Sequence, residues 1–382
     1  MRILWLANVP SPYRVDFFNQ LGQQCDLTVL FEDKITSVRD KSWLDFKINH
    51  FQGLFLRGVK VSKDVKICFD VIRYIDKARY DFVIVTNFTS PTGMLAIEYM
   101  RLFKIGYWLE SDGGFAKSGK GFRERIKRHF IHGAQLYLST SAIHDAYYLQ
   151  YGADVKKIIR YPFTSISDLD VLATPLRLNE KEELRKQLNI TEEKIILTIG
   201  QFVPRKGFDL LLHACTDLKN DVGIYFVGGK ATADYLKFVE EHNMTNVHFV
   251  GFRNKQEIEK YYKAADLFVL PTREDIWGLV INEAMAYGLP VVTTNKCIAG
   301  IEMIKEGVNG YIVESENIRE LKQKINTLLD SSTDLEHIGR RALETASEYT
   351  YEKMVERHME IFKANKKNCI KFNGENNGKR NS

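Results

Sequence analysis

Short apolar runs alternate with amphipathic stretches along the whole chain. Five runs in the first half predict strands, at residues 1–7, 26–32, 81–86, 105–110 and 135–139. Six runs in the second half predict a further series, at residues 194–199, 223–228, 247–250, 266–270, 290–294 and 311–313. Strands that alternate with helix-length segments are typical of a parallel sheet covered by helices. The pattern therefore predicts an α/β protein with two Rossmann-like sheets.

The two series of strands are separated by residues 161–180, which lack clear periodicity and contain two prolines. A length of 382 residues also suits two domains of roughly 100–200 residues each. We predict an N-terminal domain at 1–165 and a C-terminal domain at 166–348. A terminal helix is predicted at 349–365, and the polar, Asn- and Lys-rich residues 366–382 are predicted to be disordered.

The composition indicates a globular protein, with 45% hydrophobic and 27% charged residues and no enrichment in Pro or Gly. The five cysteines are scattered and show no spacing typical of a metal site, so we expect no metal and a reduced cytoplasmic compartment. No apolar run approaches the roughly 18 residues of a membrane-spanning helix.

The net charge of +5 is unevenly distributed. Residues 1–170 carry +6 and the remaining residues carry −1. This excess is milder than that of most nucleic-acid binders, so we expect no nucleic-acid partner. It favours an anionic membrane surface or an anionic acceptor, and an unevenly charged solvated surface explains it equally well.

Two motifs follow predicted strands in the second half. The strand at 194–199 leads into GQFVPRKG, residues 200–207, before an apolar-periodic stretch. Glycines and the cations Arg205 and Lys206 at a strand-to-helix turn suit a diphosphate, because backbone N–H groups and a helix start favour anions. An ordinary helix start that carries Lys and Gly is the alternative.

The second motif is the stretch PTREDIWGLVINEAMAYGLP, residues 271–290. Glu283, near the start of its helix, could bind the two hydroxyls of a ribose, and Glu274 or Asp275 could bind hydroxyls of a second sugar. Acids favoured by the helix dipole are the alternative reading. Both motifs follow strands of one sheet, and the carboxyl ends of parallel strands form the ligand crevice of such folds.

These motifs resemble those of the retaining glycosyltransferases of family 4, which have the GT-B fold. The resemblance covers residues 194–315 and is carried by GQFVPRKGFDLLLHA, NVHFVGF, YYKAADLFVLPTREDIWGLVINEAMAYGLPVVTT and GVNGYIV, in the family's order and spacing. It implies two Rossmann-like domains that face each other across a cleft. The N-terminal domain would bind the acceptor and the C-terminal domain the nucleotide sugar.

By this resemblance, Lys206 matches the lysine that binds the donor diphosphate, and Glu283 matches the ribose-binding glutamate. Asp275 stands where the family usually has a glutamate facing the donor sugar, and Glu274 beside it is the other candidate. Gln201 replaces a phosphate-binding arginine, with Arg205 as its candidate substitute. The predicted donor-binding residues are Gly200, Gln201, Arg205, Lys206, Phe252, Arg253, Glu274, Asp275, Trp277, Gly278, Leu279 and Glu283.

The first half offers two further features. The loop NVPSPYR at 8–14 resembles that of a bacterial branch of the family, and its Tyr13 and Arg14 could contact an acceptor or could simply shape a turn. Glu110 and Asp112 end a strand beside two glycines, which indicates a site at a sheet edge. The predicted catalytic residues are Glu110, Asp112, Lys206 and Asp275.

Residues 120–130 predict a basic amphipathic helix, with Phe122, Ile126 and Phe130 four residues apart and five cations around them. Such a helix could lie on an anionic leaflet, as a peripheral membrane contact. An ordinary helix that packs its three apolar residues against the core is slightly favoured.

The sequence thus predicts a retaining, metal-independent hexosyl- or related glycosyltransferase without a cofactor. Its donor would be a nucleoside-diphosphate sugar, with UDP favoured over GDP. Its acceptor would be a saccharide or lipid-linked saccharide of cell-surface polysaccharide or glycolipid synthesis. Three alternatives stay open: a nucleotide-sugar epimerase of the same fold, a catalytically silent relative that acts as a binding partner, and, disfavoured because the first strand lacks a G-x-G-x-x-G turn, a dinucleotide-dependent oxidoreductase.

Overall fold

The computed structural model describes residues 1–34, 46–62, 65–116, 119 and 121–374, with side chains through residue 366. The chain divides into two compact units. One comprises Met1–Thr164 with the C-terminal segment from Tyr351, and the other comprises Ser165–Thr350. Each unit contains one parallel sheet, which confirms the predicted α/β fold with two Rossmann-like sheets.

The first sheet has seven parallel strands in the order β3-β2-β1-β6-β7-β8-β9. Its strands are β1 (Arg2–Ala7), β2 (Asp26–Phe31), β3 (Gln52–Phe55), β6 (Phe82–Val85), β7 (Trp108–Glu110), β8 (Leu136–Ser139) and β9 (Ile158–Arg160). A separate antiparallel hairpin is formed by β4 (Val59–Ser62) and β5 (Val65–Ile67). The central strands are almost wholly apolar because helices cover both faces of the sheet.

The second sheet has six parallel strands in the order β12-β11-β10-β13-β14-β15. Its strands are β10 (Lys194–Gly200), β11 (Val222–Gly228), β12 (Val247–Gly251), β13 (Leu267–Leu270), β14 (Val291–Thr294) and β15 (Gly310–Val313). In both sheets, successive strands are therefore added first on one side of the first strand and then on the other. We call the point where this order changes, between β1 and β6 and between β10 and β13, the reversal of the sheet. In open α/β sheets, ligands bind at the carboxyl ends of the strands beside such a reversal.

Helices pack on both sheets and bury the apolar side chains between them. The helices of the first unit are α1 (Pro12–Gly22), α2 (Pro91–Leu102), α3 (Phe122–Ile131), α4 (Ala142–Gln150) and α13 (Tyr351–Gly374). Those of the second are α5 (Leu178–Gln187), α6 (Phe208–Ala214), α7 (Ala233–Glu241), α8 (Lys255–Ala264), α9 (Leu279–Ala286), α10 (Ile298–Met303), α11 (Ile318–Leu329) and α12 (Leu335–Ala346). Within the described residues, no helix is both long and apolar enough to cross a bilayer.

Two predictions about the ends of elements need correction. The terminal helix predicted to end at 365 continues to Gly374, so the predicted disorder of 366–382 is wrong for its first part. Residues 366–373 contain neither Pro nor Gly, so nothing in the sequence interrupts the helix before Gly374. Residues 375–382 lie outside the described residues, as does Lys120 of the predicted basic helix.

Candidate functional site

The loop that follows β10 is shaped by two glycines with positive φ. Gly200 ends the strand at φ +154°, and Gln201 beyond it is exposed. A short turn of helix at Pro204–Lys206 then meets Gly207 at φ +66°. A Cβ on Gly207 would lie 2.0 Å from the carbonyl oxygen of Pro271, so only glycine allows this loop to approach the loop after β13.

The close approach of these two loops brings Asp275 between two cations. Lys206 Nζ lies 2.5 Å from Asp275 Oδ2, and Arg205 Nη1 lies 3.6 Å from Oδ1. The Lys206 and Asp275 side chains are both 12% exposed, whereas that of Arg205 is 56% exposed. Three predicted donor-binding residues thus form one cluster at the reversal of the second sheet, and Arg205 presents its guanidinium to solvent.

Contacts that the sequence did not suggest hold the backbone of this cluster. The hydroxyl of Thr272 and the amide of Arg273 both donate to the carbonyl oxygen of Arg205, each at 2.7 Å. The Arg273 guanidinium pairs with Asp209 through two hydrogen bonds of 2.8 and 2.6 Å. Glu274 is partly buried, and its amide lies 3.5 Å from the same Arg205 carbonyl. Arg273 therefore fastens the two loops together.

The turn from Trp277 to Leu279 is held by a buried indole and contains a glycine with positive φ. Trp277 Nε1 donates to Asn282 Oδ1 at 2.8 Å, and the indole side chain is buried. Gly278 has φ +102°, and a Cβ there would lie 2.6 Å from the sulfur of Cys297. Leu279 starts α9 and is partly buried. The side chain of Trp277 therefore supports the turn, while Gly278 leaves room for Cys297, the residue before α10.

Glu283 lies on the first turns of α9 and is held by two hydroxyl groups. Ser165 Oγ donates to Glu283 Oε1 at 3.0 Å, and Tyr262 OH donates to Oε2 at 2.9 Å. Burial raises the pKa of Glu283 above its usual value, although these two bonds and Lys255 act in the opposite direction. The carboxylate is thus already placed and hydrogen-bonded, and Tyr262 stacks on Tyr287 beside it.

Phe252 and Arg253 follow β12 at the same edge of the sheet. Phe252 is 53% exposed, and Arg253 donates to its carbonyl oxygen at 2.8 Å. Asn254 caps α8 by accepting a hydrogen bond from the amide of Glu257, so the turn has a fixed shape. The exposed aromatic ring is the feature of this turn that could stack on a base.

In the first unit, Glu110 is completely buried at the end of β7 and pairs with Arg14 of α1. Arg14 Nη1 lies 3.0 Å from Glu110 Oε1, with both side chains at most 5% exposed. Burial alone would raise the pKa of Glu110, but Arg14, together with His358 and Tyr161, outweighs it and lowers that pKa to about 2. Glu110 is therefore an ionised residue that holds Arg14 in place.

Asp112 is the more accessible acid of the pair. It accepts hydrogen bonds from the Arg14 guanidinium and, at 2.7 Å, from Tyr13 OH, while its side chain stays 36% exposed. Burial, and then Asp112, raise the pKa of Tyr13, so Tyr13 remains a hydrogen-bond donor. The structure thus gathers Tyr13, Arg14, Glu110 and Asp112, which the sequence had assigned to two separate features.

His144 of α4 supports the loop that carries Asp112. Its Nδ1 accepts from the Thr140 amide at 3.2 Å, which leaves Nε2 to donate to Ser111 Oγ at 2.8 Å. Burial lowers the pKa of His144 to about 3, so the imidazole is neutral. This tautomer fixes Ser111 immediately before Asp112.

Comparison with known proteins finds a family match within the second unit. Residues 180–345 match the family model described as glycosyl transferases group 1. The chain is 31% identical over 200 residues to spore coat protein SA of Bacillus subtilis, which covers 49% of this chain and 53% of that protein. It is 27% identical over 185 residues to the Campylobacter jejuni N,N'-diacetylbacillosaminyl-diphospho-undecaprenol alpha-1,3-N-acetylgalactosaminyltransferase, covering 48% of each. The chain thus spans about half the length of these curated relatives.

Among solved structures, Anabaena HepE in complex with UDP superposes with a TM-score of 0.78 at 19% identity, over 95% of this chain and 100% of that one. At this identity the similarity concerns the fold, which is that of GT-B glycosyltransferases. The predicted resemblance to glycosyltransferases is confirmed, because residues 180–345 match the glycosyl transferases group 1 model.

Proposed function

We propose that this chain, which carries a glycosyl transferases group 1 domain at residues 180–345, is a retaining glycosyltransferase of family 4. It would move a sugar from a nucleoside-diphosphate donor to an acceptor hydroxyl, in cell-surface polysaccharide or glycolipid synthesis. The observation that carries the proposal is the cluster of Lys206, Arg205 and Asp275 at the reversal of the second sheet.

The cluster suits the leaving diphosphate. Negative charge grows on the diphosphate as its bond to the sugar breaks, and cations held in place before the reaction stabilise that charge in the transition state. Lys206 provides a compact ammonium and Arg205 an exposed guanidinium. We infer that these two cations supply the positive charge the diphosphate requires, and that the chemistry is metal-independent.

The remaining donor contacts follow from the same edge of the sheet. Glu283, already held by Ser165 and Tyr262, would accept hydrogen bonds from the ribose hydroxyls. Asp275 rather than Glu274 would face the donor sugar, because Asp275 lies between the two cations. Phe252 and Arg253 would contact the base, and we favour UDP over GDP. HepE, one of the structural neighbours, was solved in complex with UDP.

In the first unit, Asp112 is the exposed acid that could contact the transferred sugar or the acceptor, and Glu110 acts through Arg14. Attack from the face that the diphosphate leaves, with the departing phosphate oxygen taking the acceptor proton, would retain the configuration at the anomeric carbon. The curated Campylobacter relative is named for a diphospho-undecaprenol acceptor, which supports a lipid-linked saccharide here.

The exposed surface of α3 suits contact with a membrane, which would carry a lipid-linked acceptor. Phe122 at its start is 76% exposed, and Arg123 and Arg125 beside it are exposed as well. Ile126 and Phe130 are partly buried, so part of the apolar stripe packs on the protein as an ordinary helix would. We propose that Phe122 and its neighbouring arginines contact the anionic cytoplasmic leaflet, where nucleotide sugars are available.

The decisive experiment measures donor binding and turnover. We expect UDP to raise the melting temperature, because a ligand that binds only the folded state stabilises it. Lys206→Met should lower kcat/KM for the UDP-sugar by about 10²–10³-fold. Lys219→Met, at an exposed lysine of the same unit, is the matched control and should leave it unchanged.

Each alternative result of this experiment would indicate a different function. Binding of UDP-sugars without transfer or hydrolysis would identify a catalytically silent relative, and conversion of the donor into its epimer would identify an epimerase. A larger stabilisation by GDP would overturn the assignment of the base. If no nucleotide or nucleotide sugar binds or reacts, the glycosyltransferase proposal fails.

A further inference from the structure

A second group of polar side chains lies at the reversal of the first sheet. It contains no residue of the proposed donor site and none of the group formed by Tyr13, Arg14, Glu110 and Asp112. Glu32 follows β2, and Asn87 and Ser90 follow β6. Glu32 Oε1 accepts hydrogen bonds from both Asn87 Nδ2 and Ser90 Oγ. Glu32 is 8% exposed and Asn87 is 4% exposed. We call these three residues the Glu32 cluster.

The cluster contains two acceptor oxygens without donors. The Asn87 amide must turn its nitrogen toward the carboxylate of Glu32, so its Oδ1 points elsewhere, and that buried oxygen has no partner among the described residues. Within the same residues, the hydrogen bonds of the Glu32 carboxylate all involve Oε1. A buried acceptor without a donor costs roughly 1–3 kcal/mol, so Asn87 Oδ1 calls for an explanation.

A purely structural role accounts for only part of this arrangement. Ser90 Oγ caps α2 by accepting from the amide of Gly93 at 3.0 Å, which explains why Ser90 is present. Lys66 donates to the backbone carbonyls of Glu32 and Leu56, each at 3.0 Å, and these bonds hold the strand end rather than the carboxylate. Capping and strand anchoring both leave the buried Asn87 Oδ1 unexplained, and neither uses Glu32 Oε2.

The position of the cluster indicates a ligand. The strands β2, β1 and β6 are neighbours, and β1 and β6 flank the reversal of the sheet. Ligands of open α/β sheets bind at this edge. Two open acceptor oxygens require a ligand that offers donors, and the carboxylate disfavours phosphate groups.

We propose that Glu32 and Asn87, oriented by Ser90, bind hydroxyl groups of a saccharide, as the sugar-binding subsite for the acceptor. The inference rests on the proposed glycosyltransferase function for the identity of the ligand as acceptor. The Glu32 carboxylate and the Asn87 carbonyl accept from two hydroxyls of one sugar ring, and Ser90 keeps the carboxylate oriented. Glu32 is a binding residue here and takes no part in bond breaking.

Glu32→Gln is a specific test because it changes one oxygen from an acceptor to a donor group and preserves the size and the other hydrogen bonds of the side chain. The glutamine carbonyl can still accept from Asn87 and Ser90, while its NH2 group replaces the open acceptor Oε2 with a donor. Asn87→Ala removes the second open acceptor independently. Glu98→Gln, the same substitution at a half-exposed site of α2, is the matched control. Melting temperatures establish that each variant folds.

The binding experiment uses the full chain and methyl glycosides of glucose, galactose and N-acetylglucosamine as probes, measured by saturation-transfer NMR. We expect at least one glycoside to bind the wild type, and Glu32→Gln to weaken its binding by about tenfold to a hundredfold, as for a lost bond to a charged group. Asn87→Ala should weaken it about tenfold, and Glu98→Gln should leave it unchanged.

Two outcomes would overturn the subsite: no glycoside binds the wild type, or Glu32→Gln and Asn87→Ala both bind glycosides as the wild type does. Inorganic pyrophosphate that competes with the glycoside would also contradict it. UDP binding to the same samples separates this inference from the proposed function. If UDP binds and glycosides do not, the subsite is wrong and the donor site stands; the reverse result would keep the subsite and reject the donor site.

Discussion

The reversal points of the two sheets use charge in opposite ways. In the second sheet, one carboxylate, Asp275, lies between two cations, Lys206 and Arg205. In the first sheet, one cation, Arg14, lies between two carboxylates, Glu110 and Asp112. With ordinary charges at neutral pH, the cluster of Asp275, Lys206 and Arg205 carries +1, and the cluster of Arg14, Glu110 and Asp112 carries −1. The same topology thus provides one edge with net positive charge and one with net negative charge, which we propose bind a diphosphate and the hydroxyls of a sugar, respectively.

The two clusters also differ in burial. Arg14 and Glu110 have side chains at most 5% exposed, whereas Arg205 is 56% exposed. A buried ion pair has lost its hydration and cannot exchange partners cheaply, while an exposed cation can turn to an incoming anion. We infer that Arg14 and Glu110 form a fixed support for Asp112 and Tyr13, and that Arg205 is the cation that changes partners on binding.

The largest effect should come from breaking the buried pair. Arg14→Met leaves the Glu110 carboxylate buried without its partner, and we expect the free energy of unfolding to fall by about 3–5 kcal/mol. Urea denaturation at neutral pH measures this change. Lys206→Met removes the corresponding partner in the other cluster, where Asp275 retains Arg205 and 12% exposure, and should destabilise the protein less.

A double variant is the control for this comparison. Arg14→Met with Glu110→Gln removes the unpaired charge, so the protein should regain part of the stability lost in the single variant. Equal losses in the single and double variants would show that the packing of Arg14, not the ion pair, carries the effect. A loss below about 1 kcal/mol, as for an exposed pair, would contradict the buried support.

Much of the fold could be predicted because buried parallel strands are apolar runs of recognisable length. All eleven strands predicted from the pattern are present. The strands that were missed are β3, β9 and the β4–β5 hairpin, whose residues are half-buried or exposed and therefore lack an apolar signal. The continuous helix beyond residue 365 was missed because a polar composition alone does not end a helix.

The candidate sites were predictable to the extent that they follow strands. Lys206 and Asp275 were predicted to meet because the carboxyl ends of parallel strands share one edge. The bridge from Arg14 to Glu110, 96 residues apart, depends on β1, β6 and β7 being neighbours in one sheet, which no local pattern specifies. Glu32 and Asn87 carried a usable signal, since each polar residue lies within two residues of the end of an apolar strand, but their pairing required the strand order.

Stability as a function of pH should sharpen the contrast between the two acids of the first unit. Burial raises the pKa of Glu32 to about 7, against smaller opposing effects of Ser90, Asn87 and Lys66. The pKa of Glu110, in contrast, is lowered to about 2. A raised folded pKa means that the folded state keeps its proton while the unfolded state loses it. The wild type should therefore lose up to about 3 kcal/mol as the pH rises from about 4.5 to 7.

Glu32→Gln should abolish this part of the pH dependence. The charged or titratable groups that face Glu32 are Lys66, Asp33 and Cys68, and all three remain in the variant. The difference in unfolding free energy between variant and wild type should grow from about pH 4.5 to pH 7 and stay constant above it. A difference that does not change with pH would contradict the raised pKa of Glu32.

The smallest effect concerns the surface of the first unit. Phe122 is 76% exposed beside Arg123 and Arg125, and each cation near an anionic leaflet contributes about 1 kcal/mol. Phe122→Ser with Arg125→Ser should reduce co-sedimentation with vesicles rich in phosphatidylglycerol about tenfold. Phe69→Ser is the matched control, because Phe69 is 59% exposed elsewhere in the same unit. Equal binding to anionic and neutral vesicles would reject the membrane contact and leave the charge contrast between the two sheets intact.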